Sequence, residues 1–373
     1  MSWQTKKLDD VCEVEYGTRV VNKKHGGSIY PVYGGGGATF FMDRYNREDR
    51  MVVARFAMSE QCTRFVKGKF FLNDSGLTVS PKNTKEISQD FLDLQFYFLN
   101  DYIYTLARGT AQKNLDVPAF RNLGISYPES LPEQKRIVKI LDKVFEKIGK
   151  AKENAEKNLK NSKELFESYL QGVFANPGKD WEETSLGDAY DVRDGTHDSP
   201  RYQKEGFALI TSKNLKRDLL NFNKVKYISE KDYKKINDRS RVDKGDMLFA
   251  MIGTIGNPVV VEVEPSFAIK NVALFKIPKE QNAYFLKYFL DSSFVINKMM
   301  SEAKGTTQKF VGLGYLRSFK IKLPSLLEQK TIVKKLESLS FETRKLEKIY
   351  TQKLADLDEL KKSVLKKAFA GEL

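Results

Sequence analysis

Two stretches of the chain carry the longest regular alternation of apolar and polar positions, and the second repeats the first. From Ser130 to Ala175, apolar residues recur at spacings of four and three at Ile137, Leu141, Val144, Ile148, Ala151 and Ala155. From Ser325 to Leu373 the same rhythm runs through Ile332, Leu336, Leu339, Thr343, Leu346 and Tyr350. This period predicts two long helices, each with a seam meant for another helix. Each opens with a serine three residues ahead of a glutamate, Ser130 with Glu133 and Ser325 with Glu328, the spacing of a capping box. Each seam slips at the equivalent place, Ala155 to Leu159 and Tyr350 to Leu354, a stutter that locally unwinds a supercoil. Helices that share period, start and stutter are suited to pack on each other, each roughly 60 Å long at about 1.5 Å per residue. Off the seam lie Phe145, Phe166, Leu170 and Phe174 in the first and Ile349, Leu365 and Phe369 in the second. These need cover, with the end residues expected on the adjoining domains and the rest on a partner's helices.

The segment before the first helix mixes short apolar runs, such as Met51 to Ala54 and Leu77 to Ser80, with one helical stretch from Phe91 to Leu106. It reads as an α/β, mixed α+β domain. Asn176-Pro177-Gly178 ends the long helix, and a second domain starts there. From Trp181 the opening pattern returns: Trp3, Leu8, Asp10, Val14, Gly17 and Thr18 match Trp181, Leu186, Asp188, Val192, Gly195 and Thr196. Gly109 to Lys113 (GTAQK) matches Gly305 to Lys309 (GTTQK), and the helix openings EQKRIV and EQKTIV match in turn. Between these anchors the copies diverge. The expected organisation is a first domain over 1–129, a long helix over 130–175, a second domain over 176–324 and a second long helix over 325–373. An internal pseudo-twofold duplication would pair the helices as an antiparallel coiled coil with the domains at its opposite ends.

Composition narrows the partner. A net charge of +14 and a pI near 9.3 call for an anionic one, nucleic acid or an acidic lipid surface. No apolar run approaches the roughly 18 residues of a membrane span, and the N-terminus lacks an apolar signal region, so a cytoplasmic protein without membrane contact is expected. Two cysteines, Cys12 and Cys62, with His25 and His197 offer no metal-ligand spacing, and the thiols are expected to be buried. Two divergent heads on a stiff spacer suit bipartite duplex DNA, whose half-sites one turn apart lie about 34 Å from each other.

The tandem arrangement, the Glu-Gln-Lys that opens each long helix, the paired GTxQK segments, and DGTHDSP with GDMLFAMIGTIGN in the second half carry a resemblance over essentially the whole chain. The sequence resembles the specificity subunits of type I restriction-modification enzymes. The resemblance implies two target-recognition domains, each reading half of a split DNA site, and a helix pair that sets the spacer and docks two modification (methyltransferase) subunits. S-adenosylmethionine would act in those partners, and ATP and Mg in restriction subunits of the full complex. Alternatives are the specificity subunit of a type IIB-like enzyme, a coiled-coil scaffold without DNA function, and a self-standing nuclease or methyltransferase.

The last is disfavoured by the residues. Asn176-Pro177-Gly178-Lys179 fails the Asn/Asp-Pro-Pro-aromatic pattern of an amino-methyltransferase, and Gly34 to Gly37 lacks the lysine of a phosphate loop. Glu133 and Glu328 are explained by the helix dipole rather than by catalysis. No catalytic residue and no metal site is assigned. For DNA contact, Thr110, Gln112, Lys113, Thr306, Gln308 and Lys309 in the repeated segments are expected to grip phosphates. Base readout falls to the divergent loops: Lys23, Lys24, Tyr33, Arg44, Arg47 and Arg64 in the first domain, Arg201, Tyr202, Lys213, Asn214, Lys216 and Arg217 in the second. His197 either contacts the DNA backbone or bonds locally within its turn.

Overall fold

The computed structural model describes residues 2–216, 218–305 and 309–373. Its contacts divide the chain into two units, Met1–Glu156 with Thr351–Leu373, and Lys157–Tyr350. Both cuts fall beside the stutters at Ala155 and Tyr350, so each unit holds one recognition domain and a length of each long helix.

The first unit contains strands β1 (Trp3–Lys7), β2 (Cys12–Tyr16), β3 (Tyr30–Tyr33), β4 (Ala38–Met42), β5 (Arg47–Ala54), β6 (Thr63–Leu72), β7 (Gly76–Pro81), β8 (Ala107–Arg108), β9 (Asn114–Leu115) and β10 (Gly124–Pro128). Six of them form one sheet in the order β2-β7-β5-β6-β3-β4. All its neighbours are antiparallel except β3 beside β6. Alternation along β5 sends Met51 and Val53 into the main core with Phe91 and Leu92, and Val52 to the other face with Phe70 and Leu72.

The second unit contains β11 (Glu182–Ser185), β12 (Asp191–Asp194), β13 (Phe207–Ile210), β14 (Leu215–Lys216), β15 (Leu219–Leu220), β16 (Lys226–Ile228), β17 (Met247–Ala250), β18 (Gly256–Val260), β19 (Phe267–Ile269), β20 (Val272–Lys276) and β21 (Lys320–Leu323). Its sheets run β12-β20-β17-β18 and β16-β13-β19. Matched strand for strand, the order is that of the first unit, with β6 replaced by the separate strands β18 and β19 and the parallel pair β3/β6 by β13/β19. β11 with β21 repeats β1 with β10.

Equivalent bonds hold the two frames. Gly17 donates to Gly76 O at 3.1 Å and Gly195 to Val272 O at 3.0 Å. A Cβ on Gly17 would stand 1.8 Å from Asn73 O, and one on Gly195 2.3 Å from Ile269 O, so only glycine allows the approach. Gln134, fully buried, accepts from Ser88 N at 2.9 Å and donates to Glu86 O and Pro128 O. Gln329 accepts from Asn282 N at 2.9 Å and donates to Gln281 Oε1 and Pro324 O. Each glutamine therefore ties the start of a long helix to the strand before it and to the cap of a domain helix, Gln89–Phe98 or Ala283–Asp291.

The long helices span Leu131–Ala175 and Leu326–Phe369. In the first unit they run antiparallel, with the ammonium of Lys361 4.9 Å from the Phe145 ring centre and Lys152 bonded to Asp358. Their C-terminal ends dock by matched aromatics. Phe369 lies 5.3 Å from Phe91 in the first unit, and Phe174 5.4 Å from Phe285 in the second. Trp3 and Trp181 complete the two triads, at 6.2 Å from Phe91 and 5.7 Å from Phe285. Phe166 and Leu170 join the core of the second unit and Leu365 that of the first, while Ile349 stays about half exposed.

Two local expectations change. The stretch from Phe91 to Leu106 is two helices, Gln89–Phe98 and Asn100–Thr105. At the break, Asn100 Oδ1 accepts from the backbone N–H groups of Cys62 and Thr63, both at 3.0 Å. The capping boxes are incomplete. Ser325 Oγ does accept from Glu328 N, but the Glu328 carboxylate takes the Trp181 indole N–H at 2.9 Å, and Glu133 holds Arg136 at 2.7 Å. Both cysteines are buried free thiols, and burial pushes Cys12 up to about 12 and Cys62 up to about 11. Among the described residues no helix is long and apolar enough to cross a membrane.

Candidate nucleic-acid interface

The first GTxQK segment is the exposed tip of the β8–β9 hairpin. Gly109 sits at φ 108, where a Cβ would lie 2.2 Å from Gln112 O, so the tip closes only on glycine. Lys113 O accepts from Met58 N at 2.8 Å, and Asn114 Oδ1 accepts from Ala57 N and from the Gln112 amide. The backbone is thus fixed from behind while the side chains of Thr110 and Lys113 stand in solvent. The second segment is anchored in the same way. Gly305 has φ 95, and Lys309 O accepts from Gly253 N at 2.9 Å. Lys309 is exposed; Thr306 and Gln308 lie outside the described residues.

In the second unit the candidates gather at a cleft of about 780 Å³. Tyr202, Lys213, Asn214 and Lys216 line it, as do Lys224, Lys226 and Lys270, which the sequence reading passed over. Among the described residues its lining holds five lysines and no carboxylate, which makes it a focus of positive potential. The Lys226 ammonium stands 4.0 Å from the Tyr202 ring centre, leaving an aromatic face beside cations, a combination that serves bases and phosphates alike. Lys226 opens β16, while Lys224 stands in the turn before it at φ 60, so the two reach the cleft from different local structures and no strand alternation marks them together. Arg201 is exposed nearby in sequence, and Arg217 lies outside the described residues.

Asn214 is a correction. It is buried, its Oδ1 closes a capping box with Thr211 and its Nδ2 donates to Asn221 O at 2.9 Å. Its Oδ1 is taken by both donors of Thr211 and one of its two amide hydrogens by Asn221 O, so the side chain is committed first to holding the loop. His197 bonds locally, to Asp194 and Asn271 at 2.8 Å each, and Asp194 also holds Arg239. Lys270 fastens the same turn through Asp198 O at 2.8 Å and Ser199 Oγ at 2.7 Å.

The first unit presents its candidates more thinly. Lys23 and Lys24 are exposed on the short helix Asn22–His25, and Arg44 is exposed with its guanidinium 5.7 Å from the Phe71 ring centre. Arg64 lies beside the turn Gly34–Gly37, its Nη1 3.2 Å from where a Gly37 Cβ would be. Tyr33 is half-buried and packs edge-on against Phe70 at 5.5 Å. Arg47 is the second correction. Its guanidinium donates to Thr78 Oγ1 at 2.9 Å and Asn46 O at 2.8 Å and pairs with Glu15, so it knits strands rather than reaching outward.

A recognition frame built twice, with long helices in both units and a cationic loop at the same place in each copy, defines the class of tandem DNA-specificity proteins. The model described as type I restriction modification DNA specificity domain matches residues 1–158 and 178–355, and the chain belongs to that family. The type I restriction enzyme MjaVIII specificity subunit of Methanocaldococcus jannaschii is 25% identical over 335 residues, 82% of this chain and 76% of that one. The EcoBI specificity subunit of Escherichia coli is 29% identical over 205 residues, 52% of this chain and 42% of that one. Among solved structures, a chain from a study of complex assembly and conformational transition of the type I R-M system is 18% identical, with a TM-score of 0.77 over 100% of this chain and 98% of that one. The HsdS subunit from Thermoanaerobacter tengcongensis gives a TM-score of 0.60 at 19% identity, over 100% and 97%.

Proposed function

We propose that this chain is the DNA-specificity subunit of a type I restriction-modification complex. Residues 1–129 and 176–324 each read one half of a bipartite duplex site. The helices over 130–175 and 325–373 set the spacer and dock two modification subunits. The chain contributes recognition, while methyl transfer from S-adenosylmethionine and ATP-driven cleavage with Mg belong to the other subunits. The observation that carries this reading is the pairing of one repeated frame with two different interiors. Glycine junctions, buried glutamines and GTxQK anchors recur at equivalent places, yet the connection after β3 is Gly34–Gly37 where that after β13 is a hairpin beside five lysines. A shared grip on phosphates with separate base contacts is what two unlike half-sites demand. The relatives bear type I names, so a type IIB-like arrangement is not favoured.

The test is the methylation map of a host genome with and without this gene. A split motif that vanishes on deletion is expected, and a map unchanged by deletion would overturn the reading.

A further inference from the structure

One short hairpin touches both the basic cleft and a long helix. β14 and β15 pair Lys216 with Leu219, and the tip between them carries Asp218 at φ 66. On one side Lys213, Lys216 and Asn221 line the cleft. On the other, the Asp218 carboxylate accepts from Lys287 Nζ at 2.6 Å and from the guanidinium of Arg344 on the second long helix. Burial works against the charge on Asp218, but those two bonds more than offset it and hold its carboxyl below the usual carboxylate range.

Lys287 belongs to the helix Ala283–Asp291, and its side chain is only 8% exposed. A buried ammonium is costly unless paired, so this lysine depends on the hairpin for its counter-charge. The first unit offers the control. There the connection between β3 and β4 is the short turn Gly34–Gly37, with no further hairpin inserted, and the residue equivalent to Lys287 is Asp93, five positions after a cap tied to the long helix in the same way. Lysine at that position accompanies the hairpin that neutralises it.

We infer that Asp218 is a positioning residue for DNA recognition, clamped between Lys287 and Arg344 so that the hairpin Leu215–Leu220 is held at the cleft by the long helix. Lys213 and Lys216 meet the DNA; Asp218 does not. The inference rests on the DNA-reading function proposed above. Without the clamp, the hairpin must order itself at the moment of binding, which weakens affinity and blurs the choice of bases without removing a contact.

The test uses the full-length chain and a library of duplexes randomised at both halves of a split site, with bound duplexes sequenced. Arg344→Met is the first variant, because Arg344 is more than half exposed and its loss leaves the Asp218–Lys287 pair intact. Asp218→Asn combined with Lys287→Met is the second, removing the buried pair without stranding a charge. Each is expected to bind the duplexes chosen by the native chain roughly tenfold more weakly, the effect of losing about 1.4 kcal/mol of positioning. Base preference should relax at one half-site and stay sharp at the other, and Arg344→Lys should recover most of the loss. Native affinity and preference in both variants would sink the clamp while leaving the DNA reading intact, as would equal blurring at both half-sites. A native chain that selects no sequence at low salt would remove both.

Discussion

Asp93 and Lys287 stand at the same turn of the same helix in the two units, both nearly inaccessible, and one is an acid where the other is a base. Around Asp93 the complement is local. Gln89 donates to its carboxylate at 2.8 Å, and burial, only partly countered by that bond, pushes its carboxyl up to about 7. Around Lys287 the complement comes from far along the chain, as the carboxylate of Asp218 at 2.6 Å. The difference teaches what the shared frame does and does not dictate. It fixes where a side chain enters the core, through the glutamine-tied cap of the helix. Which charge can live there is decided by the connection that each copy inserts between equivalent strands.

Exchanging the charges breaks this comparison most severely. Asp93→Lys places an ammonium where no hairpin brings a carboxylate, and Lys287→Asp faces Asp218 with a second anion. Each is expected to cost its own unit about 3–5 kcal/mol, the scale of an uncompensated buried charge. Hydrogen exchange resolved to β5 and β7 on one side and β17 and β20 on the other reads the two units separately. Exchange of either residue with protection unchanged would show that the two sites are not the same site.

A subtler separation lies in pH. Asp93 holds its proton in the folded state up to about 7, whereas unfolded it releases it near 3.8, so the first unit loses stability as pH rises through that window and levels off above it. Asp218 is shifted the other way, and its contribution to the second unit is present at neutral pH and lost only as pH falls through its depressed value. Asp93→Asn should flatten the profile of the first unit alone and stabilise it by about 2 kcal/mol or more at pH 8. Protection of the β5 and β7 amides measured between pH 4 and pH 8 checks this, and a slope that survives the substitution would assign it to another group.

Much of the architecture was legible because it is periodic and local. A seam at spacings of four and three announced both helices, within one residue at three of their ends, while the second stops at Phe369, four residues before the expected end. The duplication was visible for the same reason. Strand order was not, because the parallel pairing of β3 with β6 is made by segments well separated in sequence and leaves no pattern in either. Attention to the glutamates of the helix openings passed over Gln134, although its place three residues before Ile137 puts a polar side chain on the apolar stripe and so marks it as buried and bonded. Charge was a poor guide at the level of single residues. Arg47 and Asn214 satisfy neighbours within the fold, and Lys224 and Lys226 reach the cleft from a turn and from the strand after it, a placement that charge along the chain does not mark.

The smallest effect concerns the connection that has no hairpin. Within Gly34–Gly37, a Cβ on Gly35 would come within 2.9 Å of the Ala54 Cβ and 3.1 Å of two carbonyl oxygens, so that glycine is required by packing. Gly36 differs: a Cβ there meets nothing within 4 Å, and its φ is not in the left-handed region. The fold gives it no reason to be glycine. Gly36→Ala should therefore raise stability slightly, by about 0.4–1 kcal/mol, through the entropy of the unfolded chain. If the turn is the first domain's counterpart of the hairpin and works by bringing bare backbone close to DNA, the same methyl group should weaken binding to the selected duplexes about threefold to tenfold, as a contact worth roughly 1 kcal/mol would. Affinity unchanged beside a stabilised fold would mean that the turn only joins two strands, and that the two connections match in position but not in role.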